Sequence, residues 1–455
     1  MKNNKAVLYA LVAPLLIGGS FLNSYLSRVL PIANGYNAKI LCSSYFVSKR
    51  DIDSIKNQDL KSFPYITHNI DEQNKVVTAS VLGMFTRKAV YRDKLGCTLI
   101  SNTNEEELKN QYDNKFLEKI SNVKNIDLEK SDFKNINKDN LNKTIEEAFI
   151  ENKEGKKNTR AVLVLYKGKI IAEKYGEGIT KDTRLLGWSM TKSVLNALTG
   201  IMIKQNKLTL NQNNLFSEWL SDDRKNITLD QLLRMSSGLE FLENYSKPSD
   251  ATNMLFRSDD TSQIPLNKKL EYQPDEKWSY SSGTSNLISK LIRNTLKDDK
   301  NYLEFPYKEL FSKLGMNSAI IEPDSSGNYI MSSFMYANTR DWAKFGLLYL
   351  NNGVWNNEKL FPDNWVKYTS TPTPKAEKGK YGAHFWLNAG NKTEGSKWED
   401  LPKDIFHTSG FESQYVFIIP SKDLVIVRLG LTKDEKNFEE EKLIKGVIDS
   451  IKVNE

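Results

Sequence analysis

The placement of the β-favouring runs constrains this chain most. Ala161–Tyr166 and Lys169–Lys174 are joined only by Lys167-Gly168, a connection short enough to make them a hairpin. A second pair, Gln414–Ile419 and Leu424–Leu429, is joined through Pro420-Ser421-Lys422-Asp423 near the other end. Between the pairs the chain reads as mostly helical, with an apolar run at Val194–Ile203, a segment from Leu229 to Gly238, and an amphipathic stretch from Asn338 to Leu350 that Asn338 or Thr339 can cap. A last helix is predicted over 438–451. Strands at both ends with helices inserted between them predict an α+β fold: an antiparallel sheet flanked by helices, plus a helical subdomain. The junction of two such subdomains is a natural cleft.

At the start of the apolar run the sequence has Ser189-Met190-Thr191-Lys192. If a helix begins near Ser189, residues three apart lie on one face a turn apart, so the Lys192 ammonium reaches the Ser189 hydroxyl. An unassisted serine is a weak nucleophile. A desolvated lysine beside it accepts its proton or eases its loss, and the helix N-terminus favours the developing anion. Taken alone the tetrapeptide is weak, because two fixed positions in four recur by chance and a lysine-bearing helix start is the plainer alternative.

The chain of 455 residues carries 64 basic and 57 acidic side chains, a net charge of +7. Both signs are spread along it rather than gathered into a stripe, which argues against nucleic-acid binding. The N-terminus departs from this pattern: after Lys2 and Lys5 no charged residue occurs from Ala6 to Ser27. Residues 1–30 are therefore expected to be a membrane-targeting segment, either a cleaved signal peptide or a retained anchor, with the bulk of the chain exported, to the periplasm or as a membrane-anchored ectodomain. Residues 31–138 are expected to form a small β-rich region, with runs at 42–47, 76–82, 85–91 and 97–100, followed by a polar connector. The catalytic domain is expected over 139–455, opening on a helix with Leu141, Ile145 and Ala148 on one face. The two cysteines, Cys42 and Cys97, are either one disulfide, as export favours, or two buried thiols. His68, His384 and His407 lie far apart with no ligand spacing, so no metal is expected, and no cofactor.

Several motifs then occur in order: Ser189-Met190-Thr191-Lys192-Ser193-Val194, Leu232-Leu233-Arg234-Met235-Ser236-Ser237-Gly238, Trp278-Ser279-Tyr280-Ser281-Ser282, and the strand pair from Gly410 to Gly430. In these the chain resembles the class C β-lactamase-related serine hydrolases, with a β-lactamase/transpeptidase-like fold, and within them the 6-aminohexanoate-dimer hydrolase branch. The resemblance runs from about Asp139 to the C-terminus. It implies Ser189 as nucleophile, Lys192 and Tyr280 as proton carriers, and an oxyanion hole made by the backbone amides of Ser189 and Phe411. With Lys192 beside it, Tyr280 is expected to have a lowered pKa and to act as general base, then as acid to the leaving group; a core aromatic donating one hydrogen bond is the alternative.

Ser282 stands where the family's second motif has Asn, which points toward amidases and esterases. The third motif is reduced to Thr408-Ser409-Gly410, so the usual Lys or His is replaced by Thr408, which weakens a β-lactam or cell-wall peptide reading. His407 is one residue early, on the opposite strand face unless a bulge shifts the register, and is either a substrate contact or a packing histidine. Ser409 and Gly410 fall in the same substrate-contacting stretch. Asp250 either attracts an amino group on a linear substrate or caps a helix. The expected activity is hydrolysis of a linear amide or carboxylic ester, on a small molecule or short oligomer, through an acyl-enzyme on Ser189; a non-catalytic binding protein of the same fold is the rival of another class.

Overall fold

The computed structural model describes residues 24–112, 115, 120, 126–151 and 156–452. It opens on a helix, α1, over 24–42, in which Tyr25, Val29, Ile32, Ala33 and Tyr36 recur at helical spacing along one face. A π-turn, Ser43–Val47, continues it. The expected strand at 42–47 is thus helical. Its Tyr, Phe and Val suit a pleated surface, but β-propensity expresses packing context, and here Ser43, Ser44, Phe46 and Val47 are all buried against neighbours.

Four strands follow, β1 Thr67–Asp71, β2 Val76–Val81, β3 Met84–Arg92 and β4 Gly96–Ile100, paired antiparallel in that order. Cys42 and Cys97 are disulfide-bonded, which ties the end of α1 to β4. Beside this link the buried Lys39 ammonium pairs with Glu322 at 2.7 Å, and the other oxygen of that carboxylate accepts from Ser43 Oγ and from the Cys97 amide. Ala38, Leu41, Ile55 and Val77 share one core with Trp188, Leu255, Phe256 and Phe334. The N-terminal region therefore packs into the rest of the molecule.

The remaining elements that position the site are α2 Lys138–Phe149, β5 Thr159–Tyr166, β6 Lys169–Tyr175, α3 Met190–Lys204, α4 Asp250–Arg257, α5 Ser282–Leu296, α6 Thr339–Leu350, β7 Trp386–Leu387, β8 Phe406–Gly410, β9 Gln414–Ile419, β10 Leu424–Gly430 and α7 Glu440–Asp449. The central antiparallel sheet has the order β7-β8-β9-β10-β5-β6, so the two hairpins legible in the sequence meet where β10 pairs with β5. Alternate residues of these strands face opposite ways. Val162, Val164 and Ile426 pack on Leu141 and Ile145 of α2 and Ile444 of α7. Leu163, Leu165 and Val427 pack with Val194 and Leu195 of α3 and Phe345 of α6. Helix α3 is covered on nearly every side, with Met190 through Met202 all buried, polar residues included.

Gly35 lets α1 lie on α4: a Cβ there would sit 2.3 Å from the Phe256 carbonyl oxygen. Most of the expected targeting segment, residues 1–23, lies outside the described residues, and the rest of it belongs to α1. Among the described residues no helix is long and apolar enough to cross a membrane.

Candidate active site

The loop before α3 is built by close approach. Gly187 donates its N–H to the Met335 carbonyl at 2.9 Å, and a Cβ there would meet the Trp342 ring at 2.4 Å. Trp188 is held at φ +49°, a left-handed backbone that costs a bulky residue on the order of 1–3 kcal/mol. Its indole is fixed by a stacked Tyr36 (centroids 6.4 Å apart), by Phe334 (5.8 Å), by the edge of Phe411 (5.6 Å) and by Nε1–H donation to Glu412 Oε2 at 3.2 Å. Ser189 then caps α3 without a side-chain capping bond, which leaves its hydroxyl available.

The Lys192 ammonium donates to Ser189 Oγ at 2.9 Å, Ser282 Oγ at 3.1 Å and the Ser332 carbonyl at 2.8 Å. Those three bonds use all of its donors. Only 1% exposed, it is lowered to about 8 by burial, with Glu243 pulling the other way. On losing one proton the amine keeps two donors for Ser282 and Ser332 and turns a lone pair toward Ser189, the posture of a general base. Ser282 is itself oriented by Glu243, which accepts from its hydroxyl at 2.6 Å and from its amide at 2.8 Å, and Glu243 also accepts from Tyr245 at 2.6 Å.

Tyr280 is brought to the site, but its expected acidity is corrected. The Lys192 ammonium lies over the face of its ring, 5.0 Å from the centroid. Burial first, then the Glu243 charge, hold the phenol well above its ordinary value, while the adjacent Ser189 hydroxyl pulls it down. It therefore stays protonated at neutral pH and serves as a proton donor, leaving the base role to Lys192. Tyr381 and Trp386 pack edgewise and tilted against its ring.

Strand β8 ends at Gly410, where a Cβ would lie 2.1 Å from the Gly187 carbonyl oxygen, so the two loops touch. The turn Phe411–Ser413 then leads into β9, with Glu412 and Ser413 at φ +64° and +62°. Among the described residues the amides of Ser189 and Phe411 have no hydrogen-bond partner, as two donors kept for an oxyanion require.

The other expected contacts fall elsewhere. His407 is 4% exposed, enclosed by Trp398, Tyr415 and Phe417, and burial lowers it to about 3, so it is a neutral packing residue and not a substrate contact. Ser409 shares its face of β8 by strand alternation. Thr408 is fully buried and accepts the Val416 N–H at 3.1 Å, a structural bond in place of a cation. Asp250 is the first residue of α4, paired with Lys268 at 2.8 Å and accepting the Leu242 N–H at 2.8 Å, so it is not free to receive an amino group. Glu243 and Glu412 were not anticipated. Glu412 directly follows Phe411, and that adjacency was its only signal; Glu243 had none, being fixed by a loop. Among the described residues no cluster of three His, Cys, Asp or Glu side chains is placed to hold a metal.

A cavity of about 400 Å³ opens on Ser189, Trp188 and Phe411, walled on one side by α1. A buried Ser–Lys pair at a helix start, a neutral tyrosine beside it and two free amides across from a strand end define a β-lactamase-fold hydrolase. The family model for Beta-lactamase matches residues 145–446, and the chain belongs to that family. It is 26% identical over 185 residues to an uncharacterized protein of Alkalihalophilus pseudofirmus, spanning 36% of this chain and only 55% of that relative. It is 22% identical over 294 residues to the 6-aminohexanoate-dimer hydrolase of Paenarthrobacter ureafaciens, covering 61% of this chain and 73% of the relative. A solved family VIII carboxylesterase superposes with a TM-score of 0.54 at 14% identity, over 72% of this chain and 99% of the other, a likeness of fold.

Proposed function

We propose that this chain is an exported serine hydrolase that cleaves a linear carboxylic ester or amide through an acyl-enzyme on Ser189. The observation that carries this reading is the desolvated Lys192 amine 2.9 Å from Ser189 Oγ. Neutral Lys192 takes the Ser189 proton as Oγ attacks the carbonyl. The amides of Ser189 and Phe411 hold the oxyanion, a contribution for which each donor is typically worth about 10²–10³ in rate. Tyr280 gives its proton to the departing alkoxide or amine nitrogen and takes one back from the water that attacks the acyl-enzyme, while Lys192 returns the proton it took to Ser189 Oγ as the ester breaks.

Export is supported by the uncharged stretch from Ala6 to Ser27 behind two lysines and by the Cys42–Cys97 disulfide, which an oxidising compartment favours. An uncleaved leader would hold the enzyme at a membrane. A penicillin-type activity is disfavoured by Thr408, whose hydroxyl is committed to Val416 where that chemistry uses a cation for the substrate carboxylate.

Labelling the purified protein with a fluorophosphonate and with a fluorescent penicillin, alongside Ser189→Ala, tests the reading. Serine-dependent fluorophosphonate labelling with ester turnover is expected. Labelling by penicillin alone favours the cell-wall alternative, and no serine-dependent label or turnover favours a binding protein.

A further inference from the structure

The cavity on Ser189 has a composition that the reaction does not explain. Its long wall is the face of α1 bearing Tyr25, Val29, Ile32, Ala33 and Tyr36, opposite Leu255 and Phe256 of α4. From position 25 to position 36 that wall runs about 16 Å. The end nearest the nucleophile is made of Trp188 and Phe411, the residues beside the two oxyanion amides. Tyr280 and Lys192 do not line it. A bound carbonyl thus turns its leaving group toward the Tyr280 hydroxyl and its acyl substituent into this cavity.

We infer that, within the serine-hydrolase reading above and with the segment bearing Tyr25 and Val29 retained as an anchor, the substrate is an ester or amide of a linear, uncharged aliphatic acyl group, and that α1 is the wall that measures the chain. Three observations favour an aliphatic occupant over an amine-bearing one. The wall is apolar along its length, and each methylene moved from water onto such a surface is favourable. Asp250, the acidic group that an amino terminus would seek, is paired with Lys268 and lies outside the cavity. Glu412, the acidic residue lining the cavity, accepts from the Trp188 indole and already has the Lys433 cation acting on it, and Lys247 also lines the cavity. An ammonium carried along α1 would be desolvated against an apolar wall and would share the cavity with Lys247 and Lys433. The reaction is ordinary acyl transfer to water: the acyl–oxygen or acyl–nitrogen bond breaks, the Ser189 ester forms and is hydrolysed, and the products are a fatty acid and an alcohol or amine.

The test is kcat/KM of the full chain on p-nitrophenyl acetate, butyrate, hexanoate and octanoate, with the 6-aminohexanoyl ester as a charged comparator. The expected result is a rise of about two- to fourfold per methylene through the series, with hexanoyl preferred over 6-aminohexanoyl. Ala33→Trp and Val29→Trp, two independent ways of filling the cavity, are each expected to lower the octanoyl-to-acetyl ratio by about tenfold or more. A flat series, or a preference for the 6-aminohexanoyl ester, with turnover still dependent on Ser189, overturns the chain-length inference alone. An absence of Ser189-dependent turnover on every ester overturns the hydrolase reading and the inference with it.

Discussion

Three side chains set how the site responds to pH. Lys192, lowered to about 8, must be neutral to accept the Ser189 proton, so kcat/KM is expected to rise close to tenfold per pH unit below that value and to level off above it. Lys192→Met is expected to abolish measurable turnover. Tyr280→Phe is expected to lower kcat by about 10²-fold or more while leaving the rise in the pH profile in place, because the lysine and not the phenol titrates there. Glu412 behaves oppositely. Burial and Asp59 raise it to about 7. Its folded pKa lies above its unfolded one, so the folded state binds the extra proton, and that stabilisation is present in acid and lost as pH rises from about 4.5 through about 7. A thermal melt series across this window is expected to show Glu412→Gln losing less stability than the parent, by on the order of 2 kcal/mol.

Among the elements, the junction of β8 with the loop before α3 is the most sensitive. A methyl group at Gly410 must push the Gly187 carbonyl away, and with it the Ser189 amide. Gly410→Ala is therefore expected to lower kcat by about 100-fold, a loss read against the same substrate affinity. The hairpins and the Ser189–Lys192 pair were legible in the sequence because each depends on neighbours within a few residues: Lys167-Gly168 forces the turn, and spacing by three puts the lysine under the serine. Cys42–Val47 was misread as a strand because its side chains answer to distant partners, Cys97 and Glu322, that no local pattern reveals. Tyr280 was located but its acidity was not, since that depends on the Glu243 loop and on the ammonium lying over the ring face rather than at the hydroxyl. The α1 wall was likewise hidden, because residues 1–30 read as a targeting segment and those after them as a β-rich region, and only the packing against α4 shows the space beside the helix.

For the molecule as a whole, the N-terminal region is closed on itself by the Cys42–Cys97 disulfide and tied to the hydrolase core by the buried Lys39–Glu322 pair. The disulfide closes a sequence separation of 55 residues, a loop whose cross-link is worth roughly 4 kcal/mol by chain-entropy reasoning. Cys42→Ser with Cys97→Ser is expected to lower the melting temperature by several degrees and to make added reductant without further effect, whereas reductant alone lowers it in the parent. The sheet order β7-β8-β9-β10-β5-β6 bears on synthesis as well. A ribosome releases Ser189 and Lys192 well before the turn after β8, which supplies the second oxyanion amide, and before β10, the strand on which β5 rests. A growing or truncated chain holds its nucleophile without the means to stabilise what it attacks, and catalytic competence arrives only when the last strands close the sheet.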